Sequence, residues 1–425
     1  MKNYNVLMLF LALSQVIYAQ DFEVSAELRP RFEYRNGYKT LPVDSLDAAA
    51  FVSQRTRLNF DYKHTYFDAY LSIQDVRVWG DVPTLNAADN NGLSVHEAWA
   101  RLKLASEFSL KLGRQEIVYD NQRIFGSVGW AQQARSHDAV LAIYKPNANQ
   151  HFELGLALNA TSESLWEIDY TLNNYKALQY LWYHTGTKNI GLSFLVLNTG
   201  FTYYEARQDE KQEEKVDYNQ TLGAHVTFLG NKVSAEASVY VQTGKIANRN
   251  LSAFNAAGQL NYSLTQNFTT GFGAEYLSGT DMNTSSSDIK SFTPWFGTNH
   301  KFNGAMDYFY VGSHANSVGL IDAFINLKYK KNKLKLNVTP HMFWSAANVV
   351  NNTNKTMDDY LGTEIDIKLT YNWQKEISFQ VGYSHLFGTE TLEVLKGGNH
   401  NATTHWGWAM VTIKPSLFKT AANNQ

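Results

Sequence analysis

Apolar and polar residues alternate with a period of two through most of this 425-residue chain. Within 24–35 every even-numbered residue is apolar and every odd-numbered residue is polar. The alternation returns at 55–63, 152–159, 233–242 and 364–371. This pattern is typical of β-strands that have one apolar face and one wet face. It predicts an all-β protein, although a soluble β-sandwich would show the same alternation.

The connections between the alternating segments narrow this prediction. Eight short polar turns are predicted at Lys63-His64, Ala105–Glu107, Asn147–Gln150, Gly186–Asn189, Gly230–Lys232, Thr265–Asn267, Lys330–Lys333 and Asn372–Lys375. Longer irregular segments lie between them at Gly80–Gly92, Ala160–Asn174, Glu205–Tyr218, Gly279–Gly319, Ala346–Asp359 and Thr389–Thr404. Short turns at one end and long loops at the other are typical of outer-membrane β-barrels. Eight turns plus the two terminal strands predict an up-and-down antiparallel transmembrane barrel of about 18 strands.

The N-terminal residues 1–19 have the features of a secretory signal peptide. Lys2 supplies a positive charge, Val6–Leu13 is apolar, and Ile17–Ala19 resembles a cleavage site. The mature chain, 20–425, is then a single barrel domain in the bacterial outer membrane. It has no cysteine, and 14% of its residues are aromatic, which suits the girdles of a barrel. No later apolar stretch of about 18 residues exists, so a helical membrane protein is excluded.

Arginine is concentrated in the first third of the chain. The twelve arginines are Arg29, Arg31, Arg35, Arg55, Arg57, Arg77, Arg101, Arg114, Arg123, Arg135, Arg207 and Arg249. Successive strands are neighbours in an up-and-down barrel, so most of these side chains would lie on the polar face of one wall. Arginine binds carboxylates bidentately, and Trp79, Trp99 and Trp130 nearby could stack on sugar rings. The alternative is a salt-bridge network that only fills and stiffens the lumen.

Two breaks in the alternation lie among these charges. At Gln74-Asp75 the apolar parity switches, and we expect a β-bulge that turns Gln74, Asp75 and Arg77 into the lumen. A second switch, at Gly113-Arg114, would re-aim another charged side chain.

Several segments resemble the alginate export family of outer-membrane barrels. They are QRTRLNFDY (54–62), QDVRVWGD (74–81), HEAWARLKL (96–104), KLGRQEIVYDNQR (111–123), ARSHDAVLAIY (134–144) and WFGTNHKFNGAMDYFYVG (295–312). The resemblance implies an 18-stranded barrel and passive passage of an anionic uronic-acid polysaccharide through an electropositive pore. The pore residues that it implies are Arg55, Arg57, Asp75, Arg77, Glu97, Arg101, Arg114, Arg123, Arg135 and Asp138.

Some features depart from that family pattern or stand outside it. No arginine follows Arg249, so the opposite wall would rely on Lys301, Lys335 or Lys368, or be neutral. The longest predicted loop could fold inward and constrict the pore, or it could be solvated. The residues expected to constrict the pore are Asn299, His300, Lys301 and Asp307. Asn86–Gly92 has oxygen ligands without fixed spacing, so no metal is predicted.

The sequence therefore predicts a channel for anionic saccharides or other anions, without a cofactor. Its other expected contacts are outer-membrane lipid and components of a periplasmic export or uptake system. A general or small-anion porin is the main alternative. An enzyme is disfavoured because the histidines are scattered and no nucleophile motif accompanies them. A plugged receptor is disfavoured because the strand pattern starts directly after the signal peptide.

Overall fold

The computed structural model describes residues 21–86, 89, 92–172, 174–206 and 212–420. The predicted signal peptide, Arg207 and most of the segment 86–92 lie outside the described residues, so these predictions stay predictions.

Among the described residues, nineteen strands form one antiparallel sheet that closes on itself. The strands are β1 (Asp21–Asn36), β2 (Ala49–Lys63), β3 (Phe67–Val78), β4 (Ser94–Lys103), β5 (Phe108–Gln115), β6 (His137–Asn147), β7 (Gln150–Leu158), β8 (Tyr175–Gly186), β9 (Ile190–Ala206), β10 (Gln212–Leu229), β11 (Val233–Ile246), β12 (Arg249–Ser263), β13 (Phe268–Leu277), β14 (Leu320–Lys331), β15 (Leu334–Trp344), β16 (Tyr360–Gln374), β17 (Ile377–Gly388), β18 (His405–Ile413) and β19 (Ser416–Lys419). Both β18 and the short β19 that follows it pair with β1, so they occupy one position in the wall. The predicted closed 18-strand barrel is confirmed.

The alternation in the sequence places one face of each strand in lipid and the other in the lumen. In β1, Leu28 and Phe32 are exposed on the outer surface, whereas Glu27, Arg31 and Glu33 are buried inside. Exposed aliphatic and aromatic side chains on this scale would be unfavourable in water, and they match the apolar band of a membrane barrel.

The eight predicted short turns each connect two neighbouring strands, at one end of the barrel. The long connections lie at the other end, which in outer-membrane barrels is the outer side. Helical structure in the described residues is limited to a 3₁₀ turn, Asn299–Lys301, and the helix α1, Glu390–Lys396. No helix in this part of the chain is long and apolar enough to span a membrane.

Two long connections fold into the barrel interior. We call residues 116–136 inner loop A and residues 278–319 inner loop B. Phe125 and Phe296 form a parallel bridge between them, with Gly126 N donating to Phe296 O over 2.8 Å. Their aromatic and aliphatic side chains build the core with inward-facing rings of the wall, such as Tyr180. Arg123 and Arg135 therefore lie in inner loop A, and the expectation that they sit on strands is wrong.

Candidate functional site

Two arginines of β1 hold inner loop A against the wall. Arg29 donates to the carbonyl oxygen of Gly129 over 2.7 Å and to the side chain of Gln132 over 2.9 Å. Arg31 donates to the carbonyl oxygen of Trp130 over 2.6 Å. The family resemblance did not include either arginine among the pore residues. In the sequence, Arg29 and Arg31 alternate with Glu27 and Glu33 on the polar face of one strand. This pattern predicts lumen-facing charges, but it does not predict that both arginines bind carbonyl oxygens of inner loop A.

An aromatic stack joins the two inner loops in the middle of the lumen. The rings of Trp130 and His300 lie parallel, with centroids 4.6 Å apart. Trp408 of β18 packs edge-on against Trp130 at 4.8 Å, and the guanidinium of Arg31 lies 3.9 Å from its ring centre. We call the pair Trp130 and His300 the central stack.

The central stack separates two cavities, because both of its residues line both of them. The outer cavity has a volume of about 570 Å³ and extends to the outer ends of β1, β2 and β3. The inner cavity has a volume of about 780 Å³ and extends along β14, β15 and β16 toward the short-turn side. The lumen is thus a channel divided by two docked loops.

Basic residues outnumber acidic ones only in the lining of the outer cavity. Its lining contains five basic residues and three acidic ones, which are Arg31, Arg35, Lys39, Arg77, Arg135, Glu33, Asp81 and Asp307. Arg77 is also bound to Asp75 and Asp89 outside this lining, so the basic residues that have no carboxylate partner among the described residues are Lys39 and Arg135. The lining of the inner cavity contains four of each, which are Arg29, Lys301, Lys328, Lys368, Glu236, Glu275, Asp322 and Asp366. An anion in the outer cavity would therefore meet a favourable net field.

Two of the resemblance-implied arginines face the lumen in ion pairs. Arg55 binds Glu27 over 2.5 Å, and both side chains are buried. Arg101 binds the buried Asp68, which also accepts from Lys103 over 2.7 Å. These pairs belong to the salt-bridge network that the sequence left open as an alternative.

Arg57 and Glu97 also face the lumen, each without a charged partner among the described residues. Arg57 donates to the side-chain oxygen of Gln74 over 2.9 Å. Glu97 accepts from the indole nitrogen of Trp99 over 3.1 Å.

The two arginines of inner loop A have different surroundings. Arg123 is 1% exposed, binds Glu275 over 2.7 Å and donates to Asn303 over 2.8 Å. It is a buried anchor inside the packed core. Arg135 donates to the carbonyl oxygen of Gly297 over 3.1 Å and has no carboxylate partner among the described residues. Burial lowers the pKa of Arg135 to about 10, so it remains charged at neutral pH.

Arg114 and Asp138 lie outside the lumen, which corrects the expectation that they line it. The register between β4 and β5 is continuous and pairs Arg114 with Ala98. Arg114 therefore lies on the same outward face of β5 as Leu112. Arg114 binds Asp138 over 2.7 Å, and both side chains are exposed. The predicted parity switch is absent, because Gly113 permits a left-handed backbone (φ 118°) without a shift in register.

Asp75 and Arg77 also follow the outward parity. The register of β2 with β3 is continuous, with Asp75 opposite Thr56 and Arg77 opposite Gln54. The bulge lies on the other side of β3, between Ser72 and Ile73 against β4. The predicted bulge at Gln74-Asp75 is therefore wrong, and Arg77 reaches only the rim of the outer cavity, bound to Asp75 and Asp89.

The four residues expected in a constricting loop all lie inside the barrel. His300 Nδ1 is 2.6 Å from Asp307 Oδ1, and the hydroxyl of Tyr38 donates to the other oxygen of Asp307. Lys301 donates to the carbonyl oxygen of Asn121 over 2.9 Å, and burial lowers its pKa. Asn299 donates to two carbonyl oxygens of its own loop. Inner loop B is thus fixed to the connection between β1 and β2 through Tyr38, and to inner loop A through Lys301.

A family model described as Alginate export matches residues 22–405. The chain belongs to the alginate export family. Solved structures with a similar fold include OccAB4 of Acinetobacter baumannii, at a TM-score of 0.63 and 12% identity over 94% of this chain and 98% of that one. OpdK of Pseudomonas aeruginosa has a TM-score of 0.60 and 12% identity over 93% and 98%. No curated protein sequence shows a significant match.

These findings place this alginate export family member in the bacterial outer membrane as a β-barrel channel. The structural neighbours share the fold of this chain, but a sequence identity of 12% gives no information on its substrate. The family and the fold are those of channels.

Proposed function

We propose that this protein is a passive channel for small anionic saccharides of the uronate type. The observation that carries the proposal is the presence of two cations without carboxylate partners among the described residues, Lys39 and Arg135, in the outer cavity beside the central stack. A uronate has a carboxylate for the basic groups and a sugar ring whose apolar face packs on an indole. Trp130 supplies such a ring, but it lies between the ring of His300 and the guanidinium of Arg31, so a sugar ring packs on it only after displacing one of them.

The size of the cavities favours monomers or short oligomers over a polymer in this conformation. Volumes of about 570 and 780 Å³ fall in the range of small-molecule sites. A polysaccharide would have to keep the central stack displaced for as long as the polymer occupies the channel. OpdK, a structural neighbour, has been solved with vanillate, a small carboxylate. Passage by diffusion needs no catalytic group and no cofactor, and its direction follows the concentration gradient.

A general small-anion porin is a second candidate, favoured by the ion pairs of Arg55 and Arg101. In that case the charged wall is structural and adds no saccharide preference. The two functions differ in whether uronates block the ion current.

Reversal potentials in a planar bilayer test the role of the outer cavity. Lys39 and Arg135 have no carboxylate partner among the described residues, so the double variant Lys39→Gln/Arg135→Gln removes free positive charge. We expect its anion preference to fall by at least about half. Arg114→Gln is the matched control, because it removes an arginine from the outer surface.

The same bilayer measures block by galacturonate or mannuronate oligomers. We expect block of the wild-type channel and weaker block of the double variant and of Trp130→Ala. Anion preference without uronate block would favour the general porin. Equal effects of Arg114→Gln and of the double variant would contradict the proposed site.

A further inference from the structure

A histidine and two glutamates converge beside the start of inner loop A. His96 and Glu97 lie at the bulge of β4, where β4 has one residue more than the paired segment of β3. Glu116 is the first residue of inner loop A. One ligand atom from each of the three lies within 4.8 Å of the other two. The bulge turns two consecutive residues inward, which an unbroken strand cannot do.

His96 Nε2 lies 2.8 Å from a carboxylate oxygen of Glu116. The hydroxyl of Ser136 donates to the carbonyl oxygen of His96 over 2.6 Å, so the hydroxyl oxygen of Ser136, 3.1 Å from His96 Nδ1, is able to accept from Nδ1–H. In the Nε2–H tautomer the ring donates to Glu116 in an ordinary hydrogen bond. In the Nδ1–H tautomer, which the contact with Ser136 favours, the lone pair of Nε2 faces the carboxylate of Glu116, and a cation between them satisfies both groups.

We propose that His96, Glu97 and Glu116 bind a divalent transition-metal ion of the Zn²⁺ type. A neutral imidazole and two carboxylates offset two positive charges, and water would complete a four-coordinate site. Zinc bond lengths set ligand atoms roughly 3.3 Å apart, so the pair His96 and Glu116 has to open by about half an ångström. A nitrogen ligand and few oxygens disfavour calcium.

The surroundings of the three ligands fit this site. Ser136 fixes the imidazole through Nδ1, as outer partners of metal-binding histidines do. One oxygen of Glu97 accepts from Trp99 Nε1 and from the amide of Glu116, which leaves the other available. No Lys or Arg among the described residues forms an ion pair with either glutamate. A bound ion would link the wall at β4 to inner loop A.

Metal binding to the full-length barrel in chelator-free detergent tests the proposal. We expect one Zn²⁺ per chain by equilibrium dialysis, and a visible Co²⁺ spectrum typical of nitrogen and oxygen ligands. His96→Ala and Glu116→Gln should abolish binding. Ser136→Ala should weaken it by roughly 10- to 100-fold while leaving the stoichiometry at one.

The control is His151→Ala, which removes a second histidine–glutamate pair, His151 and Glu153 at 2.7 Å. Heat-modifiable migration checks that each variant is folded, and Glu97→Gln replaces His96→Ala if the latter does not fold. Less than half an equivalent of zinc, tighter binding of Ca²⁺, or equal losses in His151→Ala and His96→Ala would overturn the proposal.

Discussion

Buried arginines in this channel act mainly as anchors for the inner loops. Arg123 joins inner loop A to Glu275 of β13 and to Asn303 of inner loop B, with 1% of its surface exposed. Removing one partner of a buried ion pair costs about 3–5 kcal/mol, because the other charge is left without compensation. If inner loop A leaves the wall, Glu275 becomes hydrated. We therefore expect the loss of Arg123 to release inner loop A from the wall and not to unfold the barrel.

We therefore expect Arg123→Met to raise the single-channel conductance and its current noise while the barrel stays folded. The double variant Arg123→Met/Glu275→Leu should recover quiet, wild-type currents, because no unpaired charge remains in the core. Conductance at the wild-type value in the single variant would show that inner loop A is held without this pair.

The central stack gives a second prediction at this scale. Trp130 separates the two cavities with His300, so Trp130→Ala should merge them. We expect a conductance at least about twofold higher, because removing an indole widens the narrowest part of a channel. Trp79→Ala is the control, since Trp79 is 59% exposed and bonds to Gln54, outside the central stack. An increase of the same size in both variants would argue against the partition.

At the scale of elements, the strands and turns could be predicted from the sequence, whereas the inner loops could not. Alternation and turn chemistry are local, so the eight short turns were found. The docking of inner loop A depends on contacts such as Arg31 with Trp130, which are 99 residues apart in the chain. Nothing local in 116–136 distinguishes a wall strand rich in polar residues from a loop that folds into the lumen.

The outward position of Arg114 has a related cause. The inward position predicted for Arg114 depends on the expectation that a charged side chain in a barrel faces water in the lumen. Arg114 and Asp138 lie next to the outer ends of β5 and β6, where outward side chains also reach solvent. Near the ends of the strands, the polarity of a residue therefore predicts less reliably whether its side chain faces the lumen than it does within the apolar band.

The helix α1 contains a lysine whose charge is unfavourable in the folded protein. Burial lowers the pKa of Lys396 from 10.5 to about 8. Between these values the unfolded chain binds more protons than the folded one, so this group makes stability rise with pH from about 8 to 10.5.

Lys396→Met should stabilise the protein by up to about 3 kcal/mol at pH 7, because the two pKa values differ by about 2.5 and each pKa unit corresponds to about 1.4 kcal/mol. The gain should vanish above pH 10.5, where the lysine is neutral in both states. Urea unfolding of the barrel in lipid at both pH values measures this. Lys355→Met, at an exposed loop position, is the control and should change neither midpoint. A gain that persists at high pH would mean that packing, and not charge, is responsible.

At the scale of the whole molecule, charge is distributed unevenly along the channel axis. The outer cavity has an excess of basic residues, while the inner cavity is balanced. Lys39 and Arg135, the outer-cavity cations that have no carboxylate partner among the described residues, therefore lie where an anion arrives from outside, before the central stack. Ion pairs in the wall, such as Arg55 with Glu27, add rigidity without a net field.

This distribution predicts that anion preference depends on salt. The Debye length falls from about 10 Å at 0.1 M to about 3 Å at 1 M, which is shorter than the width of a cavity of about 570 Å³. Reversal potentials should therefore give a clear anion preference at 0.1 M KCl and a permeability ratio near one at 1 M. A wall whose charges are all paired would give a ratio near one at both concentrations. The variant Lys39→Gln/Arg135→Gln should shift the channel toward this second behaviour, because it removes two positive charges that have no carboxylate partner among the described residues from the outer cavity.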